Sequence, residues 1–177
     1  MPIHTHRGIH PALQQGAWID PTAVVIGDVV LGEDASVWPF VLIRGDVNHI
    51  RIGARSNVQD GSIVHVSRPY PGNDSGWPTI LGDDVVVGHK VSLHGCTIAD
   101  RVLVGIGAIV LDGVEVGSDV IIGAGSVVTP GKKLQSGSLY VGSPARRVRE
   151  LTAAEVARIP KMARDYVMLK DEYAQSP

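Results

Sequence analysis

A six-residue repeat runs through most of this sequence and restricts the folds that the chain can adopt. Each unit opens with an aliphatic residue, usually continues with Gly or another small or polar residue, and has a small residue at its fifth place. Three units per group predict three short strands per coil, and stacked coils must share one core because a single coil cannot bury its aliphatic face. The aliphatic positions are Leu31, Val37, Ile43; Ile52, Val58, Val64; Leu81, Val87, Leu93; Ile98, Val104, Val110; and Val116, Ile122, Val128.

The spacing between these groups supports a coil of about 18 residues. Groups start 17 residues apart from Leu81 to Ile98 and 18 residues apart from Ile98 to Val116. Two longer steps leave three extra residues near Val47–His49 and an eleven-residue loop within Ser67–Thr79. A β-sandwich would need hairpin turn signals every ~8–12 residues, and these are missing. We therefore predict an all-β solenoid, a three-sided prism of parallel strands.

The repeat resembles that of hexapeptide-repeat proteins, whose fold is a left-handed parallel β-helix. The left hand is implied by this resemblance alone, since most parallel crossovers are right-handed. We expect an N-terminal lead over residues 1–18, a left-handed β-helix domain over 19–145, and a C-terminal helical segment over 146–177 that packs on the β-helix.

The residues after 150 have a helical pattern. Thr152 and Glu155 match a capping box, with Leu151 and Val156 as the accompanying apolar pair. Pro160 is expected to end or kink this first stretch. One apolar helical face then follows, which we expect to lie on the prism or on a neighbouring subunit. Its residues are Met162, Tyr166, Leu169 and Tyr173.

Charge and composition exclude several classes of protein. The net formal charge is −2, so no basic surface for nucleic acid is expected. The single cysteine, Cys96, excludes an internal disulfide and is expected to be a small buried or interface residue. The longest apolar stretch, Val102–Leu111, is too short to cross a membrane. The first twenty residues lack an apolar signal core, so we expect a cytoplasmic protein without a membrane partner.

The repeat register assigns three histidines to columns along the prism. His65 and His94 each follow the third aliphatic residue of their coils, so they share a column about 4.8 Å apart. His89 precedes His94 by five residues, a contour of roughly 16 Å in extended chain. Even with a corner between them, one metal ion would struggle to reach both His89 and His94 within one subunit. We therefore expect a metal site shared across the interfaces of a homotrimer, with His89 from the neighbouring subunit.

Other polar residues fall on the same edges. Arg44 lies in the His65 column one coil earlier, and Asp60 lies in the His89 column one coil earlier, with Asp46 and Gln59 beside them. Three histidines with an open fourth position suit catalytic zinc. Gln59 is expected to hydrogen-bond the activated water or the substrate, and Arg44 with Asp46 or Asp60 to hold the interface and orient the ligands. An interface pair without a catalytic role is the alternative for Arg44 and Asp46.

Four other histidines lie outside these columns. His4, His6 and His10 are expected to be solvated, and the role of His49 in the three-residue insertion stays open.

Four segments resemble the signature of gamma-class carbonic anhydrases, and the likeness extends over nearly the whole chain. It is nearest to the short bacterial branch that has been called ferripyochelin-binding protein. The resemblance implies Zn²⁺, or Fe²⁺ in some members, held by His65, His89 and His94 in a trimer that interconverts CO₂ and bicarbonate. It assigns catalytic or subunit-bridging roles to Gln59, Arg44, Asp46, Asp60 and Tyr166. The segments are Ile43–Asp46, Asn57–Gly61, Val64–His65 and Gly88–Cys96.

The sequence also departs from that family pattern. Val47 stands where the family prototype has a Glu, Asp74 is the only acid in the loop that carries the prototype's proton-shuttle Glu, and Met168 replaces an Asn. These differences predict a slow lyase, limited by proton release to buffer.

Two other classes stay open from the sequence. A hexapeptide-repeat acyl-CoA acyltransferase or thioesterase would use a His as general base, and its activity would survive removal of metal by a chelator. A non-catalytic metal-binding or assembly protein would show no turnover at all.

Overall fold

The computed structural model describes residues 3–175, which form twenty strands and one helix. The elements in chain order are β1 (Ile3–His4), β2 (Ala12–Leu13), β3 (Trp18–Ile19), β4 (Val24–Leu31), β5 (Ser36–Val37), β6 (Leu42–Ile52), β7 (Asn57–Val58), β8 (Ile63–His65), β9 (Thr79–Leu81), β10 (Val86–Val87), β11 (Ser92–His94), β12 (Thr97–Ile98), β13 (Leu103–Val104), β14 (Ile109–Val110), β15 (Glu115–Val116), β16 (Ile121–Ile122), β17 (Val127–Val128), β18 (Lys133–Leu134), β19 (Ser138–Gly142), β20 (Ala145–Glu150) and α1 (Ala153–Gln175).

The strands stack into the three faces of a prism, as the repeat predicts. One face is an eight-stranded sheet in the order β20-β19-β16-β13-β10-β7-β5-β3. The other two faces are the stacks β17-β14-β11-β8 and β9-β12-β15-β18, which join through the long strand β6. Within residues 3–175 the neighbouring strands pair in parallel, except that β19 and β20 form an antiparallel pair. The chain is therefore a parallel β-solenoid.

The predicted aliphatic positions build the core. All fifteen are buried, none with more than 3% of its surface exposed. Each unit turns one branched aliphatic side chain inward, and Val and Ile suit a strand because their side chains are already restricted about χ1. The prism interior is therefore filled by stacked rows of Val, Ile and Leu.

One corner of the prism is lined by charged residues of alternating sign, which we call the corner ladder. Its members occupy equivalent turn positions with φ between +55° and +59°. Arg55 donates two hydrogen bonds to Asp84, at 2.7 and 2.9 Å, and Arg101 donates two to Asp119, at 2.7 and 3.0 Å. The ladder consists of Asp34, Arg55, Asp84, Arg101 and Asp119.

The two predicted insertions leave the coil register intact around them. β6 carries the three extra residues, so that Gly27 pairs with Gly45 whereas Val29 pairs with Ile50. The longer insertion forms a loop whose ends are bridged between Ser67 and Trp77, and we call Ser67–Trp77 the Trp77 loop.

Helix α1 lies against β5 and β10 and differs in part from its predicted form. The capping box is present: the Thr152 amide donates to Glu155 Oε2 at 2.8 Å, and the Glu155 amide donates to Thr152 Oγ1 at 3.3 Å. The prediction that Pro160 could end the helix is wrong, because α1 continues to Gln175. Buried residues before and after the proline, Ile159 and Ala163, hold this part of the helix on the prism.

The face that α1 buries is not the predicted apolar stripe alone. Tyr166 and Tyr173 contact the Trp38 ring, with ring centroids 5.3 and 5.2 Å apart, whereas Leu169 is 37% exposed. Lys170 takes the buried place instead, and its Nζ lies 3.1 Å from Asp34 Oδ1 and 2.6 Å from Asp171 Oδ1. An ion-paired lysine can be buried where an unpaired one could not.

The predicted division of the chain can be compared with the element order. β1 and β2 of the lead pair with β4, and β20 crosses the boundary drawn between residues 145 and 146. Residues 1–2 and 176–177 of the outer segments lie outside the described part, and the three-part division itself stays a prediction. In residues 3–175, no helix has the length and apolar character needed to cross a membrane.

Candidate metal centre

Strand register brings His65 and His94 together. β8 and β11 pair in parallel with His65 and His94 as direct Cα partners, in the column predicted from the repeat. Their rings lie 5.0 Å apart between centroids, and His65 Nδ1 faces His94 Nε2 at 3.1 Å.

The outer nitrogen of each ring contacts a carboxylate. His65 Nε2 is 3.0 Å from Asp46 Oδ1, and the other oxygen of Asp46 accepts a short hydrogen bond from Arg44. His94 Nδ1 is 2.6 Å from Asp112 Oδ1. We call Arg44, Asp46, His65, His94 and Asp112 the His65 half-site.

These contacts determine which ring nitrogens carry hydrogen. An ionised carboxylate only accepts hydrogen bonds, so each neutral imidazole carries its hydrogen on the outer nitrogen. When both rings are neutral, the two inner nitrogens, His65 Nδ1 and His94 Nε2, present lone pairs to each other across 3.1 Å. Two nitrogens that bind one zinc ion at ~2.05 Å in tetrahedral geometry are about 3.3 Å apart. The pair therefore fits a shared cation.

Burial and hydrogen bonding favour the ligand forms of these groups. Burial lowers the pKa of His65, although its hydrogen bond to Asp46 opposes the change. Burial alone would raise the pKa of Asp46, but hydrogen bonds from His65 and Arg44 outweigh it and the pKa lies below its ordinary value. The environment thus favours neutral His65 beside ionised Asp46.

His89 lies apart from this pair and has its own carboxylate. His89 Nδ1 is 2.9 Å from Asp60 Oδ2, which confirms that the two share a column. Over residues 3–175 of a single chain, no three His, Cys, Asp or Glu side chains are close enough to hold a metal ion together. His89 therefore does not join His65 and His94 within one subunit.

Gln59, Tyr166 and His89 line one cavity of about 320 Å³ beneath α1. Gln59 is 5% exposed and donates from Nε2 to Asn57 Oδ1 at 3.0 Å. Burial and the nearby Asp60 carboxylate raise the pKa of Tyr166, which keeps the phenol protonated. We call Gln59, Asp60, His89 and Tyr166 the His89 half-site.

The sequence-predicted residues thus form two groups, and one contact was missed. Asp112 comes two residues after Val110, the partner of Leu93, so its coil neighbours the one that carries His94. The register could have found it, because Asp112 continues the edge that bears Arg44, His65 and His94. The residue type alone did not single out Asp112 as a partner of His94, because Asp is common at turns.

Three other residues have clear surroundings. Cys96 is buried, and burial raises the pKa of its thiol to about 12, so it is not a nucleophile. Val47 packs against the core and lines a cavity of about 240 Å³ beside Asp46. Met168 is 58% exposed on α1.

Sequence comparisons agree with this geometry. Residues 10–45 and 95–130 match the family model described as bacterial transferase hexapeptide (six repeats). YrdA of Escherichia coli K12 is 53% identical over 97% of this chain and 93% of its own. A carbonic anhydrase of Geobacillus kaustophilus is 42% identical over 93% of this chain and 87% of its own. Gamma carbonic anhydrase 1 of Arabidopsis thaliana mitochondria is 42% identical over 93% of this chain and 59% of its own.

The chain belongs to the gamma carbonic anhydrase family. The hexapeptide match also identifies the solenoid as a left-handed parallel β-helix. A hexapeptide transferase family protein of Anaplasma phagocytophilum has the same fold, with a TM-score of 0.89, 34% identity and 97% of both chains covered. A perosamine N-acetyltransferase of Caulobacter crescentus, solved with CoA and GDP-perosamine, matches at a TM-score of 0.56 and 27% identity, over 79% of this chain and 57% of its own.

Proposed function

We propose that this protein is a homotrimeric, metal-dependent lyase that interconverts CO₂ and bicarbonate. The observation that carries the proposal is the pair of ring nitrogens, His65 Nδ1 and His94 Nε2, that face each other at 3.1 Å. The names of the Geobacillus and Arabidopsis relatives support the reaction. The third donor is His89 of a neighbouring copy, and the metal is Zn²⁺, with Fe²⁺ as the second choice.

Each ligand would be held by its own carboxylate. Asp46, Asp112 and Asp60 accept hydrogen bonds from His65, His94 and His89, which fixes the tautomer in which the opposite nitrogen is free. Arg44 in turn holds Asp46 in its ionised form. This arrangement would leave one nitrogen of each imidazole free to bind the metal.

When bound, Zn²⁺ would lower the pKa of a coordinated water to about 7 and supply hydroxide for addition to CO₂. Gln59 lines the cavity beside His89 with its amide held by Asn57, so it is placed to orient water or bicarbonate by hydrogen bonding. Tyr166, on α1, closes the same cavity. Val47 offers no titratable group and packs against the core, so protons would leave through buffer and turnover would be slow.

Mixing two inactive variants tests the shared site. His89→Ala and His94→Ala should each lose bound metal and CO₂ hydration when pure. Refolded together in equal amounts, they should recover about a quarter of the wild-type metal content and rate, because about three quarters of the rings are mixed and each mixed ring has one complete interface out of three. Metal is measured by mass spectrometry and hydration by stopped flow.

The control mixes His65→Ala with His94→Ala. Both changes lie in the His65 half-site, so no interface is complete and no recovery is expected. Recovery in this control, or none in the first mixture, would contradict the shared-site proposal.

Acyl transfer is the second candidate, favoured by the CoA-bound Caulobacter acetyltransferase that shares the fold. Acetyl-CoA would then raise the Tm, and activity would survive removal of metal by a chelator. A metallated protein without either activity would favour a binding or assembly role.

A further inference from the structure

Asp112 connects His94 to the Trp77 loop through its two carboxylate oxygens. Oδ1 lies 2.6 Å from His94 Nδ1, and Oδ2 accepts a hydrogen bond from Ser67 Oγ at 2.8 Å. A carboxylate held from both sides has little freedom to rotate. Its direction, and hence that of the His94 ring, is set by the loop as well as by the solenoid.

Gly95 makes this close approach possible. Its φ is +58°, and a Cβ at this position would lie 2.3 Å from Asp112 Oδ1. Any other residue here would push the carboxylate away from the ring of His94. Glycine is therefore required for the space that Asp112 occupies, whereas the backbone conformation alone would admit other residues, as it does in the corner ladder.

The Trp77 loop is itself anchored over Asp112. Ser67 and Trp77 exchange two backbone hydrogen bonds, at 2.9 and 3.1 Å. The indole of Trp77 lies over Gly113, where a Cβ would come within 3.0 Å of the ring. Thr79, just after the loop, donates to the His65 carbonyl at 2.6 Å. The loop thus lies against the turn that carries Asp112, and Thr79 ties the chain after it to His65.

We propose that Asp112 is the positioning residue for His94. It keeps the hydrogen of the neutral ring on Nδ1 and leaves Nε2 directed at His65, and Ser67 orients the carboxylate. The consequence for metal affinity rests on the proposed function, whereas the consequence for the tautomer does not. With Asp112 included, each of the three histidines has its own carboxylate partner.

Long-range ¹H–¹⁵N NMR of the histidine rings in metal-free protein tests the tautomer. Wild-type His94 is expected to carry its hydrogen on Nδ1, and Asp112→Ala should shift it toward the Nε2–H form. Glu115→Ala, at an exposed carboxylate on the following strand, is the matched control and should leave His94 unchanged. An Nε2–H tautomer in the wild type, or an unchanged His94 in Asp112→Ala, would overturn the proposal.

Zinc affinity, measured by competition with a chromophoric chelator, tests the consequence. Asp112→Ala should bind Zn²⁺ about 10–100-fold more weakly than wild type, as expected on loss of a carboxylate that orients a ligand. Asp112→Asn should lose less, because its amide oxygen still accepts from Nδ1, and Ser67→Ala should lose less again. Wild-type affinity in Asp112→Ala, within twofold, would overturn the proposal.

The two measurements separate the possible failures. A wild-type protein that binds no Zn²⁺ contradicts the proposed function, and the NMR result still decides the role of Asp112. If Asp112→Ala does not fold, Asp112→Asn takes its place: weaker Zn²⁺ binding than wild type supports the proposal, and equal binding overturns it.

Discussion

The corner ladder and the His65 half-site both follow the spacing between neighbouring coils, but their side chains make different kinds of contact. In the ladder, each arginine meets a carboxylate of the next coil with two hydrogen bonds, as in Arg101 and Asp119. In the half-site, each carboxylate contacts one nitrogen of an imidazole and leaves the other nitrogen facing the second ring, as in Asp112 and His94. An edge of the prism on which every donor meets an acceptor has a structural role. An edge that keeps an acceptor without a matching donor can bind a ligand.

The electrostatics of the two edges differ in the same way. The hydrogen bonds from Arg101 to Asp119 raise the pKa of the arginine, so Arg101 stays charged at every working pH. Burial lowers the pKa of His65 and so favours its neutral form. The ladder thus carries fixed charge, whereas the half-site carries lone pairs.

The largest expected effect is on Zn²⁺ affinity, which should depend on the His65 half-site and not on the corner ladder. His65→Ala should weaken Zn²⁺ binding by at least about 100-fold, since it removes a ligand and not only a ligand's partner. Arg101→Met is the control: Zn²⁺ affinity should stay at the wild-type value, and the free energy of unfolding should fall by no more than about 1 kcal/mol, because the pair is partly exposed. Isothermal titration and urea unfolding measure the two quantities. Equal losses of affinity in both variants would contradict the comparison.

A substitution at Asp34, the first residue of the corner ladder, should have an intermediate effect on the free energy of unfolding. Asp34→Asn keeps the side-chain shape but removes an anion from buried Lys170, and should lower the free energy of unfolding by about 1–3 kcal/mol. Lys170→Met in the same chain should recover part of this loss, because no buried cation is then left with a missing partner. Urea unfolding of the two single variants and the double variant measures the coupling. Strict additivity would mean that Asp34 and Lys170 do not interact.

The smallest effect concerns the same arginine–carboxylate chemistry at the start of α1. Hydrogen bonds from Arg149 and from the Thr152 amide lower the pKa of Glu155 to about 2. The lowered pKa means that the stabilisation is complete above the ordinary pKa near 4.5 and is lost as the pH falls toward 2. The stability difference between wild type and Glu155→Gln should therefore be constant above about pH 5 and shrink below it. Arg149→Met should follow the same course, and a difference independent of pH would contradict this assignment.

The core and the columns could be predicted from sequence because the repeat fixes the register. Once Val64 and Leu93 are recognised as equivalent, the proximity of His65 and His94 follows, and so does that of Asp60 and His89. The partners at the turns could not be predicted in this way. Whether Asp112 reaches His94 depends on the space left by Gly95, which the six-residue period does not encode.

The helix was less predictable for a similar reason. Apolar spacing selected Leu169, but the buried residue is Lys170, because Asp34 on the prism supplies its charge partner. Continuity through Pro160 likewise depends on packing of the residues around it and not on local propensity.

The direct pairing of His65 with His94 has a consequence for how such sites are recognised in other genomes. The two residues are 29 positions apart in the chain, and the Trp77 loop accounts for most of the excess over one coil. The part of the loop between its bridged ends, Ser67 and Trp77, can therefore change in length without changing the strand pairing of His65 with His94. A homologue with a different loop would escape any search that uses a fixed histidine spacing, whereas an alignment of coil against coil would still detect it.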